Sequence, residues 1–182
     1  MIFFMHAENA DMQLPQIAPG FDQPLWLLRA CHTRILRQCD SLIHLAQYLA
    51  DKGVTTEARE TANQVRRYFS SAGKQHHDDE EQDLFPVLLA VRPDLADSIH
   101  ELGLEHREME HLWVRLEPML ADIGLISDIA AFTHAVLEFR AAYLSHIERE
   151  NSKILPAAQE AMSATEISEL GARMARRRGV RL

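Results

Sequence analysis

Two stretches decide the fold: His76-His77-Asp78-Asp79-Glu80-Glu81-Gln82-Asp83-Leu84-Phe85-Pro86 and His146-Ile147-Glu148-Arg149-Glu150-Asn151-Ser152-Lys153-Ile154-Leu155-Pro156. Laid side by side, they share a His, a Glu four residues on, two adjacent apolar residues and then a Pro, all at the same offsets. Phe69 and Phe139 each lie seven residues before the shared His. A further His precedes each copy: His32 lies 44 residues before His76, and His106 lies 40 before His146. The chain therefore reads as two repeats, each a helix with one His followed by a helix with His-x-x-x-Glu. Residues four apart on a helix differ by about 40° around the axis and roughly 6 Å along it, so one His and one Glu can face the same point.

The flanking sequence predicts the helices. Asp22 caps a helix that carries Pro24 in its first turn, runs to about Lys52 and stops at Gly53. A second starts at Thr55 or Thr56 and runs towards Leu89, with Pro86 expected to kink or end it. Pro93-Asp94 opens a third that continues towards Asp122, with a kink at Pro118 and a stop at Gly124. Ser127 caps a fourth that ends near Glu160. Ser163-Ala164-Thr165-Glu166 is a capping box for a short fifth helix, ending near Gly171 or fraying into the tail. No segment alternates with period two long enough to be a strand.

Apolar residues recur at steps of three and four, the mark of one buried face per helix. The seams are Leu25, Leu28, His32, Ile35, Cys39, Leu42, Ala46 and Leu49; Ala62, Val65, Phe69, Ala72, His76, Glu80, Leu84 and Val87; Ile99, Leu102, His106, Met109, Trp113, Leu116 and Leu120; and Phe132, Val136, Phe139, Tyr143, His146, Glu150 and Ile154. Four such helices with short links predict an all-α, up-down-up-down four-helix bundle over residues 22–160. Residues 1–21 read as an N-terminal arm, and residues 161–182 as a short helix with an Arg-rich tail.

Composition is consistent with this. The chain has 182 residues, 47% apolar and 25% charged, which suits one globular domain and not a disordered chain. No apolar run reaches membrane-span length, and Met1-Ile2-Phe3-Phe4 has no basic flank, so neither a membrane segment nor a signal peptide is expected. Cys31 and Cys39 lie about 12 Å apart along one helix, too far for a disulfide. Reduced thiols make the cytoplasm the expected compartment. Without Arg173, Arg176, Arg177, Arg178 and Arg181, the body holds 14 basic against 27 acidic residues, a charge that repels nucleic acid. The Arg tail is expected to be a solvated, frayed end. A homo-oligomer is left open, with the fifth helix and this tail as the surfaces to mediate it.

Six seam positions are not apolar: His32, His76, Glu80, His106, His146 and Glu150. A single His on a seam is ordinarily a satisfied core residue. Four on four seams, with two Glu and no Lys or Arg, call for a metal, because unpaired buried charge costs several kcal/mol. The repeat selects His76/Glu80 over His77/Glu81, which lie about 100° further round and would support the site from its rim. Glu110, four after His106, is a further candidate. Four His and two Glu exceed one tetrahedral zinc and suit two ions bridged by carboxylates, iron first, manganese second and zinc less so. The Glu-x-x-His plan of ferritin-like sites fits poorly, since Glu108-x-x-His111 is its only instance. His6, His44, His100, His111 and His134 fall off the seams.

These motifs, His76-His77-x-x-Glu80-Glu81-x-x-Leu84-Phe85-Pro86, Glu105-His106, His146-x-x-x-Glu150-Asn151-x-x-Ile154-Leu155-Pro156 and His32, resemble the hemerythrin-like HHE cation-binding family. The resemblance spans roughly residues 22–160. It implies a four-helix bundle with a non-heme di-iron centre, Fe2+/Fe3+ with an oxo or hydroxo bridge, the two Glu bridging and the His terminal. Two positions depart from the oxygen-carrying hemerythrins. Leu102 stands where they have a fifth His, and Glu150 lies four residues after His146 where they have an Asp at five. The implied function is binding or sensing of O2, NO or peroxide, or holding iron. The alternative is a di-iron enzyme or iron donor in oxidative or nitrosative stress, reducing peroxide or NO or repairing iron–sulfur clusters.

Overall fold

A computed structural model describes residues 19–181, and these form helices with no strand among them. The first 18 residues, most of the expected arm and including His6, lie outside the described residues. Helix α1 is Pro24–Lys52. Helix α2 runs over residues 56–91 and contains two π turns, Phe69–Gly73 and Glu80–Leu84. Helix α3 is Ala96–Ala121, entered through a 3-10 turn at Pro93–Leu95. Helix α4 covers residues 129–161 with one π turn, Glu150–Ile154. Helix α5 is Ala164–Arg177. Helices α1 and α3 each pack against both α2 and α4, so the four long helices enclose a common interior.

Local chemistry sets the helix ends. Gly53 stops α1 at φ 71°, a left-handed conformation that glycine adopts without penalty, and its N–H donates to the Leu49 carbonyl. Thr55 Oγ1 accepts from the Ala58 N–H and starts α2. Two expected caps shift by one residue. The N-cap of α1 is Gln23, with no side-chain bond, and α4 is capped by Asp128, whose carboxylate accepts from the Ala131 N–H at 2.9 Å. Pro86 does not end α2, because the π turn before it already lets the Phe85 N–H reach back to the Glu80 carbonyl and the helix resumes. Helix α3 likewise continues through Pro118 to Ala121.

The predicted seams of α1 and α4 are buried at every position. In α2 two seam positions shift by one, both at π turns: Gly73, the last residue of the first turn, is buried in place of Ala72, and Leu88, after the second, is more deeply buried than Val87, while His76, Glu80 and Leu84 stay on the seam. A π turn holds an extra residue, so the face advances by about 100°. In α3, Leu112 is buried beside a half-buried Trp113.

The core consists of two apolar clusters. One holds Ile35, Phe69, Met109, Phe139, Tyr143 and Ile147 among others; the second holds Leu28, Leu84, Phe85, Leu102 and Ile154. Along each helix the six polar seam residues fall between the two: His32 between Leu28 and Ile35, His106 between Leu102 and Met109. They form a buried polar layer with an apolar cluster on either side.

Helix α5 is not a frayed tail. The Ser163 N–H donates to Glu166 Oε2 at 2.7 Å and the Glu166 N–H returns to Ser163 Oγ at 3.3 Å, completing the capping box. Leu170 and Met174 are fully buried in the second cluster. Gly171 lies so close to the turn leading into α1 that a Cβ there would stand 1.9 Å from the Phe21 carbonyl oxygen. The helix therefore passes Gly171 and delivers Arg173, Arg177 and Arg178 to Asp79 and Asp83 of α2. The expected solvated tail is wrong for these three arginines, because two buried acids wait for them.

Candidate metal centre

Each helix of the bundle supplies part of the polar layer: His32 from α1, His76 and Glu80 from α2, His106 from α3, and His146 and Glu150 from α4. All six are at most 4% exposed. Ligand atoms of His32, His76, Glu80 and Glu150 lie within 4.8 Å of one another, and so do those of Glu80, His106, His146 and Glu150. The two groups share both carboxylates and divide the four imidazoles into pairs.

The separations show how tightly the layer converges. His32 Nε2 lies 3.0 Å from Glu150 Oε2 and 3.5 Å from Glu80 Oε1. His76 Nε2 lies 3.2 Å from Glu80 Oε1, His106 Nε2 3.5 Å from Glu80 Oε2, and His146 Nε2 3.3 Å from Glu150 Oε2. His106 Nε2 and His146 Nε2 face each other at 3.0 Å.

Three of the four imidazoles are oriented from behind. His106 Nδ1 donates to Glu81 Oε1 at 2.7 Å, His146 Nδ1 to Glu105 Oε2 at 2.9 Å, and His32 Nδ1 to Asn151 Oδ1 at 2.9 Å. A carboxylate or amide oxygen only accepts, so Nδ1 carries the proton and Nε2 turns to the centre. This is the support that metal-binding histidines ordinarily have. Arg149 holds Glu105 in place at 2.8 Å.

The inward atoms are left without partners. His32 Nε2, both nitrogens of His76, and both oxygens of Glu80 and of Glu150 are buried with no hydrogen-bond partner among the described residues. Buried polar atoms are almost always satisfied, and six acceptor-rich side chains aimed at one space fit cations held between them. Charge tells the same story. Burial lowers the pKa of His32, but Glu150 and Glu80 outweigh it and raise it to about 10. His106 is likewise drawn up to about 9 by Glu80 and Glu81 against its burial. Burial holds His76 down, to about 4, as a neutral imidazole. The two buried carboxylates thus demand positive charge from whatever lies beside them.

The residues expected at the rim separate. Glu81 supports His106. His77 is half-buried, and its ring stacks on His106 with centroids 4.0 Å apart. Burial, with His106 and His76 adding, holds the His77 imidazole well below its ordinary pKa. Glu110 is exposed and belongs to neither ligand group, because it lies outside the layer. Glu105 and Asn151 were visible as motif residues, but their hydrogen bonds to His146 and His32 were not foreseen. Their positions beside His106 and Glu150 in the chain are the signal that would have pointed to them. A cavity of about 310 Å³ opens beside the layer, lined by His77, Glu81, His106, Tyr143, Phe69 and Trp113 among others.

The model of the hemerythrin HHE cation binding domain matches residues 23–158, most of the chain. The chain belongs to the hemerythrin HHE cation-binding family. The match takes in all four helices that carry the six ligand candidates and ends before α5. A protein of Haemophilus influenzae (strain ATCC 51907 / DSM 11121 / KW20 / Rd), described only as an uncharacterized protein, is 32% identical over 167 residues, 92% of this chain and 96% of that one. As a member of this family the chain is a metal-binding, helical protein with buried His and Glu groups able to hold cations. No helix among the described residues is long and apolar enough to cross a membrane.

Proposed function

We propose that the chain is an up-down-up-down bundle holding two iron ions, and that the pair binds or senses a small ligand such as O2, NO or peroxide. Glu80 and Glu150 would be shared, with His32 and His76 on one ion and His106 and His146 on the other. The observation that carries this reading is that the two ligand groups overlap in both carboxylates and in no imidazole. Bound there, iron would supply Fe(II)/Fe(III) redox chemistry. The chain's own contribution is orientation and exclusion. Glu81, Glu105 and Asn151 hold three imidazoles by Nδ1, and the apolar clusters on both sides keep bulk water out.

The cavity lined by His106, His77 and Tyr143 supports entry from the His106 side for a ligand of a few atoms. Leu102, fully buried, leaves that side with one imidazole fewer than the oxygen-carrying hemerythrins have. The two free thiols support a reducing compartment, and the cytoplasm is the location proposed.

Anaerobic loading with Fe(II), followed by optical spectra on adding O2, NO or peroxide, tests the reading. A spectral change that reverses on removing the gas supports binding, and a single irreversible conversion supports sensing. Catalytic loss of peroxide or NO would replace this reading with an enzyme. No spectral response to any of the three would overturn it.

A further inference from the structure

The two π turns that begin at Glu80 and Glu150 are held by charged ties at matching places in the repeat. In α4 the residues three and seven after the shared His are Arg149 and Lys153. Arg149 bonds Glu101 at 2.9 Å and Glu105 at 2.8 Å, and Lys153 Nζ donates to Ser98 Oγ at 2.6 Å, tying that turn to α3. In α2 the same two offsets are Asp79 and Asp83. They are 0% and 5% exposed, and their partners come from α5. Arg178 Nη2 lies 2.6 Å from Asp79 Oδ2, Arg177 bonds Asp79 and sits 2.7 Å from Asp83 Oδ2, and Arg173 Nε lies 3.0 Å from Asp83 Oδ1. Arg177 also reaches Gln82 Oε1 at 3.3 Å. Every residue of 79–83 except Glu80 and Glu81 is thereby bound by an α5 arginine. Glu80 faces the polar layer, and Glu81 bonds His106.

We infer that α5 is a latch for the metal centre: Arg177 and Arg178, with Arg173, hold the α2 π turn so that Glu80 stays aimed between the two imidazole pairs. The latch rests on the metal reading above, and its arginines are positioning residues that touch no ligand atom of the layer. Three features argue for a role at the site beyond general packing. The contacted acids bracket Glu80 in sequence. Several charge-assisted bonds converge on a single turn, where fixed arginine geometry gives directional control. The α4 copy has a tie of the opposite polarity at the same offsets, so each shared carboxylate stands on a turn clamped to a neighbouring helix. Helix α5 lies beyond the matched family segment, so the latch is an addition to the bundle.

The test uses the full chain with Co2+ as the probe, in wild type and in two variants. Arg177→Ala/Arg178→Ala removes the bonds. Gly171→Ala keeps every arginine and acid but forces α5 away from the Phe21 carbonyl. With helical circular dichroism retained, both variants are expected to bind Co2+ at least tenfold more weakly and to alter its visible absorption. Both should also release it to a chelator at least tenfold faster, and Arg177→Lys/Arg178→Lys should recover part of the loss. Because coupling is reciprocal, adding Co2+ to wild type should also slow amide hydrogen exchange in 164–177, a readout that needs no variant. Variants with wild-type affinity and spectrum, or wild-type α5 amides indifferent to Co2+, would overturn the latch alone. A wild type that takes up no Co2+ would overturn the metal reading and the latch with it.

Discussion

Replacing Glu81 by Ala removes the acceptor 2.7 Å from His106 Nδ1 and frees that imidazole to rotate or change tautomer. Loss of such a partner behind a metal-binding His costs ten- to a hundredfold in affinity, about 1.4 to 2.8 kcal/mol. Glu81 is 47% exposed, so water can take its place and the cost should fall at the lower end, about tenfold. Glu105 is 27% exposed and is fixed by Arg149, so its bond to His146 is better shielded and better ordered. Glu105→Ala should therefore fall nearer the upper end of that range. Competition for Co2+ against a chelator of known affinity gives both dissociation constants, with circular dichroism to show that the fold is retained. A Glu81→Ala protein within threefold of wild type would show that Glu81 does not hold His106 for the metal. One that loses more affinity than Glu105→Ala would show that shielding does not set the order of the two.

Phe139 is fully buried among Phe69, Trp113 and Tyr143, with centroids 4.9, 5.6 and 5.0 Å away; Phe139→Ala should cost about 3 to 5 kcal/mol and lower Tm by roughly 10 °C in a thermal melt. Burial, reinforced by Asp40, pushes the Cys39 thiol up to about 12, so iodoacetamide at pH 8 should leave it unmodified in the native protein and label it in guanidinium, as mass spectrometry would show. The Ser163 N–H and hydroxyl hold the Glu166 carboxyl below its usual range, so its contribution is present above the unfolded pKa and lost as pH falls through the lower folded value. Ser163→Ala should lower the denaturant midpoint at pH 7, and the gap to wild type should narrow below about pH 4 without closing, because the Glu166 N–H loses its Ser163 Oγ acceptor at every pH.

The seams of α1 and α4 are legible because α1 is an unbroken α-helix and the π turn of α4 comes only at the end of its seam, so a 3.6-residue period holds, and His32, His146 and Glu150 stand out on them. The repeat resolved the choice between His76 and His77, and the structure sets His76 in the layer and stacks His77 beside it. What the sequence concealed has specific causes. At the π turns of α2 the period of three and four points to Ala72 and Val87 where Gly73 and Leu88 are the buried residues; a fixed period cannot register an inserted residue. The α5 arginines looked like a solvated end because Asp79 and Asp83 lie 98 residues and about 90 residues away in the chain, with nothing local to connect them. The Leu170–Met174 spacing was the available clue that the helix passes Gly171 and packs.

Two ions sharing Glu80 and Glu150 would show directly as metal per chain, measured by elemental analysis after anaerobic Fe(II) loading and desalting. Wild type should hold two irons per chain, and Glu80→Ala and Glu150→Ala should each lose both. One iron or none in wild type, or a full complement in either variant, would contradict that sharing.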